Sequence, residues 1–277
     1  MIELPEAQTL ARQMNETLKE KTVAHVEALH SPHGFAFFRG DPQSYAAQLE
    51  GRRVTGAMAF GGRADLRFAG GLWLSFNDGV NARWLAPGAK RPAKHQFLME
   101  FDDGSALACT VQMYGFFGLY TSESETLEDF YSRVAIQLPS PLADAFDEAY
   151  FDTLWKGVKP TLSVKAFLAT EQRIPGLGNG VLQDILFRAG THPRRKLQAM
   201  GDTEQAALFQ SVKTTLAKMT EQGGRDTEKD LFGNKGGYRT ALSSGTLRYP
   251  CPRCGGALAR EAYMGGNVYF CAGCQRL

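Results

Sequence analysis

Residues 163–193 read SVKAFLATEQRIPGLGNGVLQDILFRAGTHP, and the order of elements in this stretch organises the rest of the chain. Residues 163–172 have helical spacing, 174–178 (IPGLG) must turn tightly, and 179–189 resume as helix. Amides at the start of the second helix lack partners within it, and glycines let a phosphate approach them closely, so Gly178 and Asn179 are candidate anion contacts. A plain helix–helix turn needs glycine just as much. Lys165, Arg173 and Arg188 lie close by in sequence. Between Lys156 and Met200 eight basic residues face only Glu171 and Asp184, an excess that favours a polyanionic partner even though the whole chain carries only +2.

Downstream, Cys251-x2-Cys254-x16-Cys271-x2-Cys274 has the spacing of two metal knuckles closing one tetrahedral thiolate shell, a zinc ribbon for Zn²⁺. Pro252, Gly255 and Gly256 are turn residues suited to wrapping an ion. Disulfides are the alternative, but the chain shows no secretory signal, and a 27-residue piece has too little core to fold without a metal. The fifth cysteine, Cys109, reads as a buried small hydrophobe. The five histidines show no spacing that suggests a second metal site or a triad. His192 suits either a turn beside Pro193 or a phosphate contact.

Upstream, residues 5–22 carry a helical apolar stripe, and residues 23–122 change to short alternating runs broken at Gly70-Gly71 and Asp102-Asp103-Gly104, the pattern of antiparallel hairpins. Helical period returns over 141–156 and 203–222, and 223–250 has little periodicity and reads as a linker. No apolar run is long enough to span a bilayer, so a cytoplasmic, nucleoid-associated monomer is expected.

Three regions in order resemble the formamidopyrimidine-DNA glycosylase/endonuclease VIII family: the opening Met1-Ile2-Glu3-Leu4-Pro5-Glu6-Ala7, the stretch 163–193, and CPRCGG through FCAGCQ. The resemblance implies an α+β fold: an N-terminal helix and antiparallel β-sandwich (1–125), an all-helical helix–two-turns–helix domain (126–225), a linker (226–250) and a zinc-ribbon finger (251–277). It implies a clamp on damaged or distorted duplex DNA that flips a base and cuts its glycosidic bond through an N-terminal proline amine, with a neighbouring glutamate moving protons.

Ile2 stands where the family has that proline. The expected consequence is base removal by Glu3-assisted hydrolysis with weak or absent strand cleavage, Met1 and Glu6 being secondary catalytic candidates. The alternative is a non-catalytic binder of distorted DNA, and structured RNA is a third partner. Arg63, Lys165, Gly178, Asn179 and Phe117 are the expected DNA contacts, Phe117 with Phe116 as a wedge. Gly266 replaces the family's phosphate-gripping finger arginine.

Overall fold

A computed structural model describes residues 1–121 and 136–277; the expected boundary at 125/126 lies outside the described residues. Helix α1 (Leu4–Leu18) opens the chain, with Pro5 in its first turn and Glu6 Oε2 accepting from Glu3 N at 3.2 Å. It ends earlier than the periodicity suggests, because Glu20 takes a left-handed conformation that turns the chain into a strand.

The strands form one hydrogen-bonded sheet in the order β1 (Val23–Ala28), β6 (Phe97–Phe101), β7 (Ala106–Thr121), β5 (Leu72–Leu85), β4 (Arg63–Phe68), β3 (Val54–Phe60). All neighbours are antiparallel, and a short β2 (Ala36–Phe38) runs parallel to β7. The expected sandwich is thus a single sheet whose two ends share strands β5 and β7. One half of each pairs toward β4 or β6, and residues from both ends meet in one core, Leu66 and Phe76 with Val26 and Phe97. The three-residue turn Ala69-Gly70-Gly71 between β4 and β5 has both glycines at positive φ, the region that favours glycine. A short helix α2 (Tyr45–Leu49) follows β2.

The helical half comprises α3 (Glu148–Lys156), α4 (Val164–Ala169), α5 (Asn179–Ala189) and α6 (Asp202–Glu221). Residues 141–147, expected to be helical, form turns instead, and Asp147 caps α3 by accepting from Tyr150 N at 2.7 Å. Phe146, Phe151, Phe167 and Phe209 pack at the centre of this second core. The last strands, β8 (Leu258–Tyr263) and β9 (Gly266–Cys271), make a hairpin whose turn residues Met264 and Gly265 both have positive φ.

Helix α1 belongs to both halves. Leu4 lies in the helical core while Leu10 and Met14 lie in the sheet core, and Asn15 exchanges two hydrogen bonds with Ala57 beside the β3 bulge (2.7 and 2.8 Å). Residues 223–250 are not a linker. They run as a strap over both cores, burying Leu231 against the sheet, Tyr238 against the helices and Leu242 against the finger. The strap lacks periodicity because side chains hold it rather than a ladder: Asp184, fully buried, accepts from Tyr238 Oη, Ala241 N and Leu242 N, each at 2.9 Å.

The two halves touch at Gly176. Its carbonyl accepts from Leu4 N at 3.0 Å, its φ is +75°, and a Cβ there would sit 2.4 Å from the Gly61 carbonyl carbon. Gly176→Ala is therefore expected to lower stability by roughly 2–3 kcal/mol, through strain and loss of this backbone contact. Urea denaturation of both proteins checks it, and an unchanged midpoint would show that the halves can separate there at no cost.

Candidate nucleic-acid interface

Where the two halves meet, a cleft of ≈ 570 Å³ is lined by the N-terminus, the IPGLGN turn, the bend of β7 and the β8–β9 hairpin. Glu3 enters it from the start of α1. The carboxylate caps α5, accepting from Gly180 N at 2.8 Å and Val181 N at 2.7 Å, so the unpartnered amides expected to cradle a phosphate are occupied in part by the chain's own anion. Gly178 is needed for this approach: a Cβ there would lie 2.5 Å from Glu3 Oε1. A Cβ on Gly180 would lie 1.6 Å from Arg225 Nη1.

Arg225, from the strap, is the centre of this arrangement and carries no motif. It is 3% exposed, forks onto Glu6 (Nε–Oε1 3.0 Å, Nη2–Oε2 2.9 Å) and lies 3.6 Å from Glu3 and 3.9 Å from Glu228. Burial opposes its charge, but Glu3 and Glu6 outweigh burial and raise its pKa. Burial, with repulsion from Glu6, pushes the Glu3 carboxyl above the usual range despite Arg225 and the two amides. Glu6, a secondary catalytic candidate, is thus placed as a buried partner of Arg225.

The terminus itself is anchored. Ile2 is buried in the sheet core and its N–H donates to Asp78 O at 2.6 Å. The Met1 ammonium is ion-paired with Glu228. The Asp78 carboxyl also lines the cleft, and burial raises its pKa.

Lys165 and Asn179 both reach the hairpin. Lys165 Nζ donates to Tyr263 O at 2.6 Å, and burial lowers its pKa. Asn179 Nδ2 donates to Asn267 O at 3.0 Å. Gln183, which no motif marked, fixes the same hairpin by accepting from Tyr269 N at 2.9 Å and donating to Asn267 O at 3.2 Å.

Two expected contacts lie elsewhere. Arg63 is buried with its guanidinium forked onto Asp65 (2.7 and 2.9 Å), a structural ion pair at the start of β4. Phe117 is fully buried between Phe38 and Phe97, because alternation along β7 turns it inward. The side chains that do protrude are Met113 (66% exposed) and Tyr114 (42%), where β7 bends opposite Gly79. Gly79 makes the bend possible, since a Cβ there would lie 2.0 Å from Gln112 O.

Much of the basic excess is paired within the protein: Arg173 with Glu171, Arg194 with Glu261, Arg195 with Glu204 and Lys156 with Asp152. Lys159 and Lys196 remain exposed. His192 is a turn residue, its Nδ1 accepting from Arg194 N at 3.2 Å and its ring against Phe270. Cys109 is fully buried, and burial raises its thiol pKa to about 12, as a core residue requires.

The four finger cysteines converge, with all Sγ atoms within 4.8 Å of one another and the pairs 251–274 and 254–271 at 3.8 and 3.5 Å. A tetrahedron with metal–sulfur bonds near 2.3 Å has edges of about 3.8 Å, so the cluster fits one metal ion.

A helix-fronted sheet and a helix–two-turns–helix unit closing on one cleft, with a cysteine hairpin at its rim, are the architecture of a DNA-glycosylase clamp. The family model of the formamidopyrimidine-DNA glycosylase N-terminal domain matches residues 1–112, and that of the formamidopyrimidine-DNA glycosylase H2TH domain matches residues 138–230. The formamidopyrimidine-DNA glycosylases of Gluconobacter oxydans and Geobacillus kaustophilus are 27% and 28% identical to the chain, over 100% of both partners in each case. Among solved structures, Lactococcus lactis Fpg in complex with abasic-site DNA superposes with a TM-score of 0.83 at 21% identity, over 99% of this chain and 100% of that one. Thermus thermophilus MutM (Fpg) gives 0.80 at 23%, over 99% and 98%. The chain belongs to the formamidopyrimidine-DNA glycosylase/endonuclease VIII family.

Arg225→Leu would leave Glu3 and Glu6 facing each other without a cation, at an expected cost of about 3–5 kcal/mol at neutral pH. A carboxyl whose pKa is higher folded than unfolded binds its proton more tightly when folded, so the deficit should shrink as the pH falls toward the unfolded value. Urea midpoints at pH 7 and pH 5 test this; a deficit below 1 kcal/mol, or one independent of pH, contradicts the assigned role.

Proposed function

We propose that the protein binds damaged or distorted duplex DNA in its cleft and acts in base-excision repair, removing the base by hydrolysis with little strand cleavage. The observation that carries this reading is the placement of Glu3: a buried carboxyl of raised pKa, held on the α5 amides, on the wall of the cleft. A carboxyl tuned upward toward neutral pH suits a general base. In the proposed step Glu3 takes a proton from water as its oxygen attacks the sugar C1′, and the glycosidic electron pair leaves with the base.

The amine route has poor support in this chain. The nitrogen of residue 2 is a peptide N–H bonded to Asp78 O, and the Met1 amino terminus is ion-paired with Glu228. Lys165, Gly178 and Asn179 are proposed to hold the phosphate backbone, with Met113 and Tyr114 taking the wedge role expected of Phe117. The finger is proposed to hold Zn²⁺, whose chemistry is structural. Tetrahedral binding by Cys251, Cys254, Cys271 and Cys274 keeps the hairpin folded. The proposed setting is the cytoplasm and nucleoid; among the described residues no helix is long and apolar enough to cross a membrane.

The second reading, a non-catalytic binder, is favoured by the engagement of both Glu3 oxygens and the 4% exposure of that residue. Incubation with duplexes carrying single lesions separates the two. Cleavage seen only after alkali, and lost in a folded Glu3→Gln variant, is the expected result. A borohydride-trapped adduct would restore the amine mechanism, and binding with neither signal would establish the binder.

The grip can be measured separately. Lys165→Ala should weaken binding across sequences and reduce the salt slope by about one unit. Gly266→Arg should strengthen binding at low salt by adding a cation at the cleft rim, where the nearest atom to a Cβ would be Asn179 Nδ2 at 3.4 Å. Removing the metal with a chelator should abolish binding while leaving the sheet domain folded. Retention of affinity after metal loss would remove the finger from the interface.

A further inference from the structure

Glu27, His30 and His95 meet at the outer edge of the sheet, where β1 ends and the chain approaches β6, away from the residues that line the cleft. No spacing in the sequence marks this cluster, because a long excursion through β3, β4 and β5 separates His95 from the other two. His30 Nδ1 lies 2.7 Å from Glu27 Oε1, and His95 Nε2 lies 3.0 Å from Glu27 Oε2. The two imidazoles stack at 4.4 Å with an interplanar angle of 9°, so both coordinating edges address the same carboxylate.

His95 is held from behind. It is 3% exposed, its Nδ1 lies 3.0 Å from Pro92 O, and its backbone pairs with Ser31 through N···Oγ (3.3 Å) and O···N (2.9 Å) contacts. A neutral imidazole has a single N–H. Given to Pro92 O, it leaves Nε2 as a lone pair directed at a carboxylate oxygen, an arrangement that a cation completes. An N–H donated to a backbone carbonyl is also how metal-binding histidines are commonly oriented.

We propose that Glu27, His30 and His95 form a second metal site, which takes one divalent ion of the zinc, cobalt or nickel type. Two imidazoles and one carboxylate suit those ions and disfavour Mg²⁺ and Ca²⁺, which prefer all-oxygen shells. The ligand atoms lie within 4.8 Å of one another, and adjacent ligands on such an ion are separated by about 3.0–3.4 Å for bonds near 2.1 Å, so small side-chain movements close the shell. His30 and Glu27 are open to solvent (42% and 39% of their side chains), which lets water fill the remaining positions.

The ion clips the segment after β1 to the segment before β6. That first segment continues into β2, where Phe37 and the preceding Phe35 are exposed and Phe35 O accepts from Gly115 N at 3.0 Å, next to the Met113–Tyr114 bend. The site therefore steadies one rim of the cleft from outside, and it stands whether or not the cleft is catalytic.

The test uses the full chain with its finger loaded and loose metal removed, titrated with Co²⁺ by calorimetry and visible absorption. The expected result is one further equivalent per chain without thiolate-to-cobalt charge-transfer bands. Its affinity should fall at least tenfold in His30→Ala and in Glu27→Gln and be unchanged in His25→Ala, whose Nδ1 lies 3.2 Å from Glu50 Oε1, outside the cluster. Both ligand substitutions are at exposed side chains, and urea midpoints verify folding. No further equivalent, one bearing thiolate bands, or one that survives both ligand variants would overturn the proposal and leave the cluster an ion pair only.

Discussion

A single guanidinium, that of Arg225, carries the junction on which the cleft depends. Without it, Glu3, Glu6 and Glu228 would bring three carboxylates together in a largely buried space, which desolvation and mutual repulsion forbid. With it, the start of α1, the start of α5 and the strap become one rigid corner. Glu3 is fixed on the α5 amides, the Met1 ammonium completes the cluster through Glu228, and Leu4 can enter the helical core. The position of the cleft wall follows from that corner rather than from DNA.

The architecture was largely legible in the chain. The glycine turn, the helix over 179–189, the hairpin turns and the cysteine quartet are local signals, set by φ, capping and spacing, and each falls where it was expected. Signals that require knowing which face of a strand looks inward were less secure. The sequence suggests a wedge at Phe117, which is core, and a DNA contact at Arg63, which is buried and forked onto Asp65. The strap escaped sequence reading altogether. Its order comes from long-range partners such as Asp184, Gln13 and Glu6, and a segment held by side chains from elsewhere has no period to detect.

The same division runs through function. The residues proposed to grip DNA sit at regular elements whose sequence pattern is strong, whereas the proposed chemistry rests on the terminus, where Ile2 departs from the family's proline. Ile2 fills a core position and uses its N–H on Asp78. The change from the family's proline is therefore built into the packing, and restoring a proline there would remove both the buried side chain and that hydrogen bond. The chain thus keeps the scaffold of its family while packing its terminus as core.

Gly178 and Gly180 carry that contrast one step further. They flank Asn179 in a motif that reads as a phosphate cradle, yet the spaces their side chains would fill already hold the Glu3 carboxylate and the Arg225 guanidinium. Selection on folding alone is enough to keep both positions bare, in an active enzyme or in one that has lost its reaction. When homologues are sorted by motif, the glycine spacing is thus a record of ancestry and assembly. The residue of the proposed chemistry, Glu3, lies 177 positions from Gly180, at the start of the chain.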